Sequence, residues 1–202
     1  MGNADLNSPA PLSAHWSIFF RQWLKHPILM ASVVPSGQQL ARLMVDAIPC
    51  GAMRVVELGA GTGAITHALL HGGVDAKNLL VVELNTELHA MLKRRFPRAH
   101  VVCGDARHVS QLVTLTRGMA SGSVGAVVSS LGMLAIPPST QRDILTGVLA
   151  VLAPGGVLVQ YTYGLSSPID EGVARELGLV VRSAGWAWRN LPPARVFVYS
   201  RP

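Results

Sequence analysis

The stretch that decides the fold is Val55-Val56-Glu57-Leu58-Gly59-Ala60-Gly61-Thr62-Gly63. Its apolar, β-branched beginning predicts a buried strand, and its glycines predict a tight turn that leads into a helix from Ala64. Because glycine has no Cβ, such a turn lets the backbone approach a ligand closely. The turn also ends at a helix N-terminus, where free N–H groups favour a carboxylate or phosphate. The stretch therefore predicts a strand–turn–helix unit that binds a small ligand.

Two kinds of nucleotide-binding turn fit the glycine spacing. Gly59-x-Gly61-x-x-Ala64 matches the loose dinucleotide fingerprint, but Gly63 comes one position too early for its third glycine. Glu57 ends a strand that should be fully buried, where an unpaired carboxylate is costly. The pattern Glu-Leu-Gly-x-Gly-x-Gly resembles motif I of the class I S-adenosylmethionine-dependent methyltransferases, whose loop packs against the methionine end of the cofactor. The resemblance implies cofactor contacts from Glu57, Gly59, Ala60, Gly61, Thr62 and Gly63.

Strands and helices alternate along the chain, a rhythm that predicts an α/β fold with a parallel sheet. Strands are predicted at 53–58, 79–84, 100–103, 124–129, 157–163, 179–183 and 196–200, and helices at 37–48, 64–71, 86–96, 109–117, 139–152 and 170–177. Such a pattern suits the doubly wound, Rossmann-like class I methyltransferase fold, a mostly parallel seven-stranded sheet whose last strand is antiparallel. We expect a flexible leader at 1–12, amphipathic and capping helices at 13–50, and the methyltransferase domain at 51–202.

Acidic residues follow the next two predicted strands. Glu83 ends the second strand about twenty residues after the glycine loop, where an acid typically accepts from both ribose hydroxyls. Asp105 ends the third strand, where the acid of the resembled family faces the adenine amine. Each acid alone is also explained as a cap or turn residue, but three acids at successive strand ends favour a cofactor site. The other predicted cofactor contacts are Leu84, Gly104, Ala106 and Ser129.

No metal site is predicted. Cys50 and Cys103 lack metal-ligand spacing, and Cys103 is expected to be a small core residue. His67 and His71 are four residues apart on one helix face, but no third ligand accompanies them, so we expect a surface pair.

Composition indicates one domain with an anionic partner. The chain has 202 residues, a formal charge of +6, 50% hydrophobic and 14% charged residues. The positive charge suggests nucleic acid or an acidic membrane surface, or simply a basic solvated surface. No run reaches the roughly 20 apolar residues of a membrane span. The polar N-terminus lacks a signal-peptide core, which predicts a cytoplasmic protein.

An amphipathic helix is predicted before the methyltransferase domain. Its apolar stripe consists of Trp16, Phe19, Phe20, Trp23 and Leu24, at i, i+3, i+4, i+7 and i+8. Basic residues lie on the opposite face, a composition typical of a helix at a bilayer interface. Packing of the stripe on the domain core is the alternative.

The segment after the fourth strand bears on the methyl acceptor. Methyltransferases of base amino groups carry Asn or Asp, then Pro, then an aromatic residue there. This chain has Ser129-Ser130-Leu131-Gly132-Met133, without an amide, acid or ring. The segment therefore weighs against an rRNA adenine methyltransferase, and against nucleic acid as a partner.

A closer resemblance extends nearly end to end. The chain is similar to the bacterial phospholipid N-methyltransferases of the soluble class I type, which convert phosphatidylethanolamine to phosphatidylcholine. One departure is that family members often have Gly then Pro where Ser130 and Gly132 stand. The resemblance implies a phospholipid substrate and a peripheral site on the inner membrane leaflet, with other amino-lipids such as ornithine lipids as alternatives. Its carrying stretches, besides the glycine loop, are 20–27, 33–36, 128–131, 160–164 and 190–196.

Head-group chemistry suggests further site residues. Arg195 or Arg189 could bind phosphate oxygens in a bidentate manner. Tyr163 and Tyr161 could hold an ammonium by cation–π attraction, or simply pack in the core. Since an amine with a pKa near 10 is mostly protonated at neutral pH, proton loss to water, to a tyrosine or to a backbone carbonyl must precede attack on the methyl group. Trp186 and Trp188 could line the same pocket or cover the sheet.

Overall fold

The computed structural model describes residues 35–202, so the predicted leader and the stripe at 16–24 lie outside the described residues. The helices are α1 (Pro35–Asp46), α2 (Ala64–His71), α3 (Thr86–Arg95), α4 (Val109–Leu115), α5 (Pro138–Val151) and α6 (Glu171–Glu176). The strands are β1 (Val55–Leu58), β2 (Leu79–Glu83), β3 (His100–Cys103), β4 (Val124–Ser129), β5 (Leu152–Thr162), β6 (Val180–Ala187) and β7 (Ala194–Ser200). Short 3₁₀ turns lie at Ala76–Asn78, Ala106–His108 and Met133–Ala135.

The seven strands form one sheet in the order β3-β2-β1-β4-β5-β7-β6. Neighbours among β1 to β5 pair in parallel, and β7 is antiparallel to both β5 and β6. This topology confirms the predicted doubly wound fold. The chain order reverses between β1 and β4, and ligands of such sheets bind where the carboxyl ends separate at this switch point.

Helices cover both faces of the sheet. Met44 of α1, Leu69 of α2 and Leu92 of α3 are fully buried on one face. On the other face, Val113 of α4 and Leu145 of α5 are equally buried. Because both faces are covered, the inner strands are continuous apolar runs rather than alternating ones. Burial on both sides fixes the strand ends that carry the predicted site.

β5 and β6 extend several residues beyond the predicted bounds, and β7 begins two residues before the predicted start. α5 passes directly into β5 at Leu152, so Pro154-Gly155-Gly156, predicted to separate helix and strand, lies in an irregular first part of β5. β6 continues to Ala187 because a bulge between Ser183 and Gly185 restores its pairing with β7. The differences in β5 and β6 arise from pairing irregularities, which the sequence pattern does not reveal.

Cys103 is exposed at the carboxyl end of β3, so its predicted place in the core is wrong. β3 is an edge strand of the sheet, and the end of an edge strand lacks a neighbour on one side. The thiol lies 3.7 Å from the carbonyl oxygen of Leu84. Among the helices of residues 35–202, none has the length and apolar character needed to span a bilayer.

Candidate functional site

The glycine loop between β1 and α2 lies at the switch point, and its glycines have different tasks. All three adopt positive φ, at 72° for Gly59, 56° for Gly61 and 83° for Gly63. A Cβ on Gly63 would lie 2.6 Å from the Phe96 ring and 2.8 Å from Leu92 Cδ2, so packing against α3 requires glycine there. A Cβ on Gly61 would meet nothing within 4 Å. The space above Gly61 is therefore open for a ligand.

Glu83 joins the end of β2 to this loop. Its Oε2 accepts from the backbone N–H of Gly61 at 2.8 Å, and its Oε1 accepts from that of Asn85 at 2.9 Å. The side chain of Asn85 caps α3 by accepting from Glu87 and Leu88. Two backbone donors thus orient the carboxylate, while its other lone pairs remain available to a diol.

Glu57 is the buried acid under the loop. Its Oε2 accepts from the hydroxyl of Thr66 at 2.6 Å, while its Oε1 is buried and has no hydrogen-bond partner among residues 35–202. Burial raises the pKa of Glu57 from 4.5 to about 7, against the hydrogen bonds from Thr66 that lower it. An orphaned carboxylate oxygen beside a glycine loop fits a cationic group such as the ammonium of a methionine moiety.

The predicted adenine end is built from the residues after β2 and β3. Leu84 is 66% exposed and offers an apolar face. Asp105 caps the following 3₁₀ turn, and its Oδ2 also accepts from the Arg107 guanidinium at 2.6 Å. Those hydrogen bonds from Arg107 lower the pKa of Asp105, which keeps the carboxylate charged. Asp105 is thus a cap residue, as the alternative to a cofactor role predicted. It also has lone pairs left, beside Ala106, to accept from an exocyclic amine.

Ser129 and Gln160 are neighbours where β4 and β5 approach the same edge. Buried Ser129 accepts from the N–H of Leu131 at 3.3 Å, and the Leu131 side chain fills the space beside Gly59. Gln160 Nε2 donates to the carbonyls of Leu131 at 2.9 Å and Tyr161 at 2.7 Å, which leaves its buried Oε1 without a partner among the described residues. We call the carboxyl ends of β4 and β5 the acceptor side. The sequence interpretation missed Gln160, for which a lone amide in an apolar strand was the signal.

Tyr161 and Tyr163 lie together on the face covered by α1, with ring centroids 5.5 Å apart and edge to face. Burial raises the pKa of Tyr163, against hydrogen bonds to Asn190 and Tyr161, and burial also raises the pKa of Tyr161. Burial therefore disfavours the phenolate form of both tyrosines. Asn190, which donates to the Pro192 carbonyl at 2.7 Å, is the second residue that the sequence interpretation missed.

Arg195 is not brought together with the tyrosines. Thr162 pairs with Arg195 and Tyr161 with the next residue of β7, so Arg195 lies on the opposite face of the sheet from Tyr161. Its guanidinium donates to the carbonyl of Leu165 at 2.7 Å and lies 5.4 Å from the Trp186 ring centroid. Trp186 stacks on Trp188 at 4.8 Å, so these residues form a surface cluster beside the site.

His67 and His71 lie exposed on α2, with ring centroids 5.5 Å apart, which confirms the predicted surface pair. Within the described part of the chain, no group of three or more His, Cys, Asp or Glu side chains could hold a metal ion.

Sequence comparison agrees with this geometry. The profile of the family described as "Methyltransferase domain" matches residues 55–156. An ornithine lipid N-methyltransferase from Singulisphaera acidiphila is 37% identical over 149 residues, covering 72% of this chain and 76% of that protein. A ribosomal RNA small subunit methyltransferase A from a Synechococcus strain is 37% identical over 90 residues, covering 43% of this chain and 29% of that protein. The chain therefore belongs to the class I S-adenosylmethionine-dependent methyltransferases.

Solved structures share the fold. A TehB-like SAM-dependent methyltransferase from Corynebacterium glutamicum superposes with a TM-score of 0.60 at 21% identity, covering 94% of this chain and 99% of that one. The glycopeptide N-methyltransferase MtfA in complex with S-adenosylmethionine gives a TM-score of 0.61 at 18% identity, covering 82% and 94%. The cofactor of this chain is S-adenosylmethionine. The orphaned Glu57 oxygen fits the ammonium of the cofactor. The open space above Gly61 lets the backbone approach the cofactor closely, and the oriented Glu83 carboxylate fits the ribose.

Proposed function

We propose that this methyltransferase transfers methyl groups to the primary amine of a membrane amino-lipid, with phosphatidylethanolamine and ornithine lipid as the two candidate substrates. The observation that carries the proposal is the 37% identity to an ornithine lipid N-methyltransferase over 72% of the chain. The resemblance to phospholipid N-methyltransferases, which extends nearly end to end, supports phosphatidylethanolamine as a candidate substrate. Both lipids carry a primary ammonium and an anionic group on a membrane-anchored molecule.

The chain's own residues would hold the cofactor by its polar ends. Glu57 would receive the ammonium, and Glu83 would accept from the ribose hydroxyls. Leu84 would cover one face of the adenine, while Asp105 would accept from its amine. When bound, the cofactor supplies an electrophilic methyl group on a sulfonium ion, so that N–C bond formation and C–S bond cleavage leave a neutral thioether.

The lipid amine would bind on the acceptor side. Tyr163 offers a ring face to an ammonium that loses a hydrogen-bond donor with each methylation. The buried Oε1 of Gln160 is an acceptor for an amine N–H. Because both tyrosine pKa values are raised, the proton that the amine must lose goes to water rather than to a phenolate. Rate acceleration then rests on positioning and on desolvating the amine and the sulfonium.

The proposal locates the reaction on the inner leaflet, reached from the cytoplasm. The stripe of Trp16, Phe19, Phe20, Trp23 and Leu24, with its basic flanks, is the proposed means of adsorption to anionic lipid. A peripheral enzyme of this kind reaches a head group without spanning the bilayer.

A nucleic-acid methyltransferase is the second candidate, favoured by the formal charge of +6 and by the partial match to a ribosomal RNA methyltransferase. The 130–136 segment opposes this candidate, because it has no amide, carboxylate or ring to hold a base.

The test is transfer of radiolabelled methyl from S-adenosylmethionine to vesicles that contain phosphatidylglycerol and either phosphatidylethanolamine or ornithine lipid. Label in one extracted lipid identifies the substrate, and its migration gives the number of methyl groups added. A matched reaction with Glu83→Gln protein controls for the cofactor site. The lipid proposal would be rejected if neither lipid is labelled while label enters ribosomal RNA, provided that cofactor binding is shown separately.

A further inference from the structure

Four exposed apolar side chains lie at the edge of the sheet that carries the site. They are Leu134 at 60%, Leu165 at 79%, Trp188 at 66% and Leu191 at 87% exposure, and we call these four residues the apolar rim. Each follows the carboxyl end of β4, β5 or β6. Leu134 adjoins the β5 loop, since a Cβ on Gly164 would lie 3.4 Å from its Cδ1. The rim therefore lies at the same edge as the acceptor side, whereas the exposed apolar side chains of Met53, Leu115, Val180 and Val181 lie at the opposite edge.

A cation and two indoles join the parts of the rim. Arg195 donates to the carbonyl of Leu165 at 2.7 Å, and its guanidinium lies 5.4 Å from the centroid of Trp186. Trp186 in turn stacks on Trp188, with an angle of 15° between the rings. These contacts hold the exposed indole of Trp188 and the backbone of the exposed Leu165 in place. Indole rings beside arginine are typical of surfaces that lie at the level of lipid head groups.

The charge of the rim fits an anionic bilayer. The loops at 130–137, 163–170 and 188–193 contain one acidic residue, Asp170, and its carboxylate caps α6. Arg189 and the flanking Arg195 supply positive charge in the same region. An apolar edge with few acids and nearby cations is complementary to lipid tails below and anionic head groups around them.

The described chain also begins at this edge. The side chain of Gln39, in the second turn of α1, accepts from the backbone N–H of Arg189 at 2.8 Å. The first turns of α1 therefore lie next to the β6–β7 loop.

We propose that the apolar rim is a bilayer-docking surface of the folded domain, which inserts Leu165, Trp188 and Leu191 into an anionic leaflet and so places the acceptor side against the lipid head groups. The occupant of this surface is the lipid bilayer itself. The inference rests on the proposed function for its choice of a lipid partner, but its test does not require turnover.

The first experiment measures insertion directly. Full-length protein with Trp16→Phe and Trp23→Phe keeps tryptophan only at 186 and 188. Phosphatidylglycerol vesicles that carry bromine on the part of the acyl chain near the head group should quench the fluorescence of these two tryptophans and shift their emission to the blue. Acrylamide should quench the free protein, because Trp188 is exposed. If the protein cosediments with the brominated vesicles but is not quenched by them, the proposal is overturned. Protection from acrylamide before lipid is added would also overturn it, because another part of the chain would then cover the rim.

The second experiment compares matched substitutions. Leu165→Asp and Leu191→Asp should each weaken binding to phosphatidylglycerol vesicles about tenfold. Leu115→Asp is the control, because Leu115 is 83% exposed but ends α4 at the opposite edge of the sheet. Turnover of vesicle lipid should fall with binding, while turnover of a short-chain amino-lipid below its micelle concentration should not change.

The outcomes separate the two proposals. Quenching of the Trp16→Phe, Trp23→Phe protein by brominated vesicles, together with no label in lipid from the wild-type protein, would reject the proposed function and leave the docking surface intact. Equal losses on vesicles and on the short-chain lipid would overturn the docking surface, because these leucines would then belong to the acceptor site. Conversion of a dimer to a monomer by Leu191→Asp, with vesicle binding unchanged, would also overturn it by assigning the rim to a second copy of the chain.

Discussion

Glu83 accepts a hydrogen bond from the backbone N–H of Gly61 at 2.8 Å, so the acid that ends β2 holds the loop that follows β1. The same carboxylate is proposed to bind the ribose. Loop position and ribose binding therefore depend on one side chain, which makes Glu83 the most informative residue for testing the cofactor site.

Glu83→Gln should weaken binding of S-adenosylhomocysteine roughly thirtyfold, because each of the two ribose hydrogen bonds should lose about 1 kcal/mol when its acceptor is no longer charged. Isothermal titration calorimetry measures this change. Glu87→Gln, at an exposed position in the first turn of α3, is the matched control and should bind as the wild type does. Equal affinities for the two variants would contradict the assignment of Glu83.

Gly61→Ala and Gly63→Ala should fail in different ways, although both positions have positive φ. Gly63→Ala should lower the free energy of unfolding by about 2 to 4 kcal/mol, because its Cβ would collide with Phe96 and Leu92. Gly61→Ala should cost only the backbone strain of about 1 kcal/mol but should reduce cofactor binding strongly. Urea denaturation and calorimetric titration separate the two effects. A Gly61→Ala variant that binds normally would show that the open space above this residue is not used.

Glu57→Gln should stabilise the protein without cofactor at alkaline pH. The pKa of about 7 in the folded state lies above the ordinary 4.5, so the folded protein binds more protons than the unfolded chain between these values. Stability contributed by this site therefore falls as pH rises from 4.5 to 7. The variant should gain about 3 kcal/mol at pH 8 and less than about 1 kcal/mol at pH 5, measured by urea denaturation at both values. The same gain at both pH values would disprove the linkage.

Cofactor binding should have the opposite pH dependence. Binding of the methionine ammonium favours the ionised form of Glu57, so affinity for S-adenosylhomocysteine should rise about tenfold between pH 6 and pH 8. Calorimetry in two buffers of different ionisation enthalpy should detect proton release in the wild type and none in Glu57→Gln. Proton uptake on binding would contradict the role given to this carboxylate.

Tyr163→Phe should keep kcat/KM within about threefold, whereas Tyr163→Ala should lose tenfold or more, since the ring face and not the hydroxyl is proposed to hold the ammonium. Methyl transfer to lipid vesicles measures both. Tyr199→Phe is the control, because this buried tyrosine bonds to Ser167 at 2.7 Å on the other side of the sheet. An inactive Tyr163→Phe variant would assign the function to the hydroxyl.

The alternation of elements and the positions of Glu57, Glu83 and Asp105 were predictable because hydrophobic period and strand-end chemistry are local properties of the sequence. Cys103 was not, because its exposure follows from the place of β3 at the sheet edge, which only the strand order decides. The packing that orphans Gln160 Oε1 depends on the carbonyl of Leu131, a residue 29 positions away. The separation of Arg195 from Tyr161 required the register between β5 and β7.

Leu131 has a consequence for how substrate range can change. A Cβ on Gly59 would lie 2.9 Å from its Cδ2, and its backbone bonds to both Ser129 and Gln160. One residue is thus shared between the loop of the cofactor, which its side chain contacts, and the side of the methyl acceptor, which its backbone contacts. Enlarging the acceptor space here would disturb the cofactor at the same time. Relatives that accept different head groups are therefore expected to diverge around Tyr163 and in the β6–β7 loop, and to keep a similar volume at position 131.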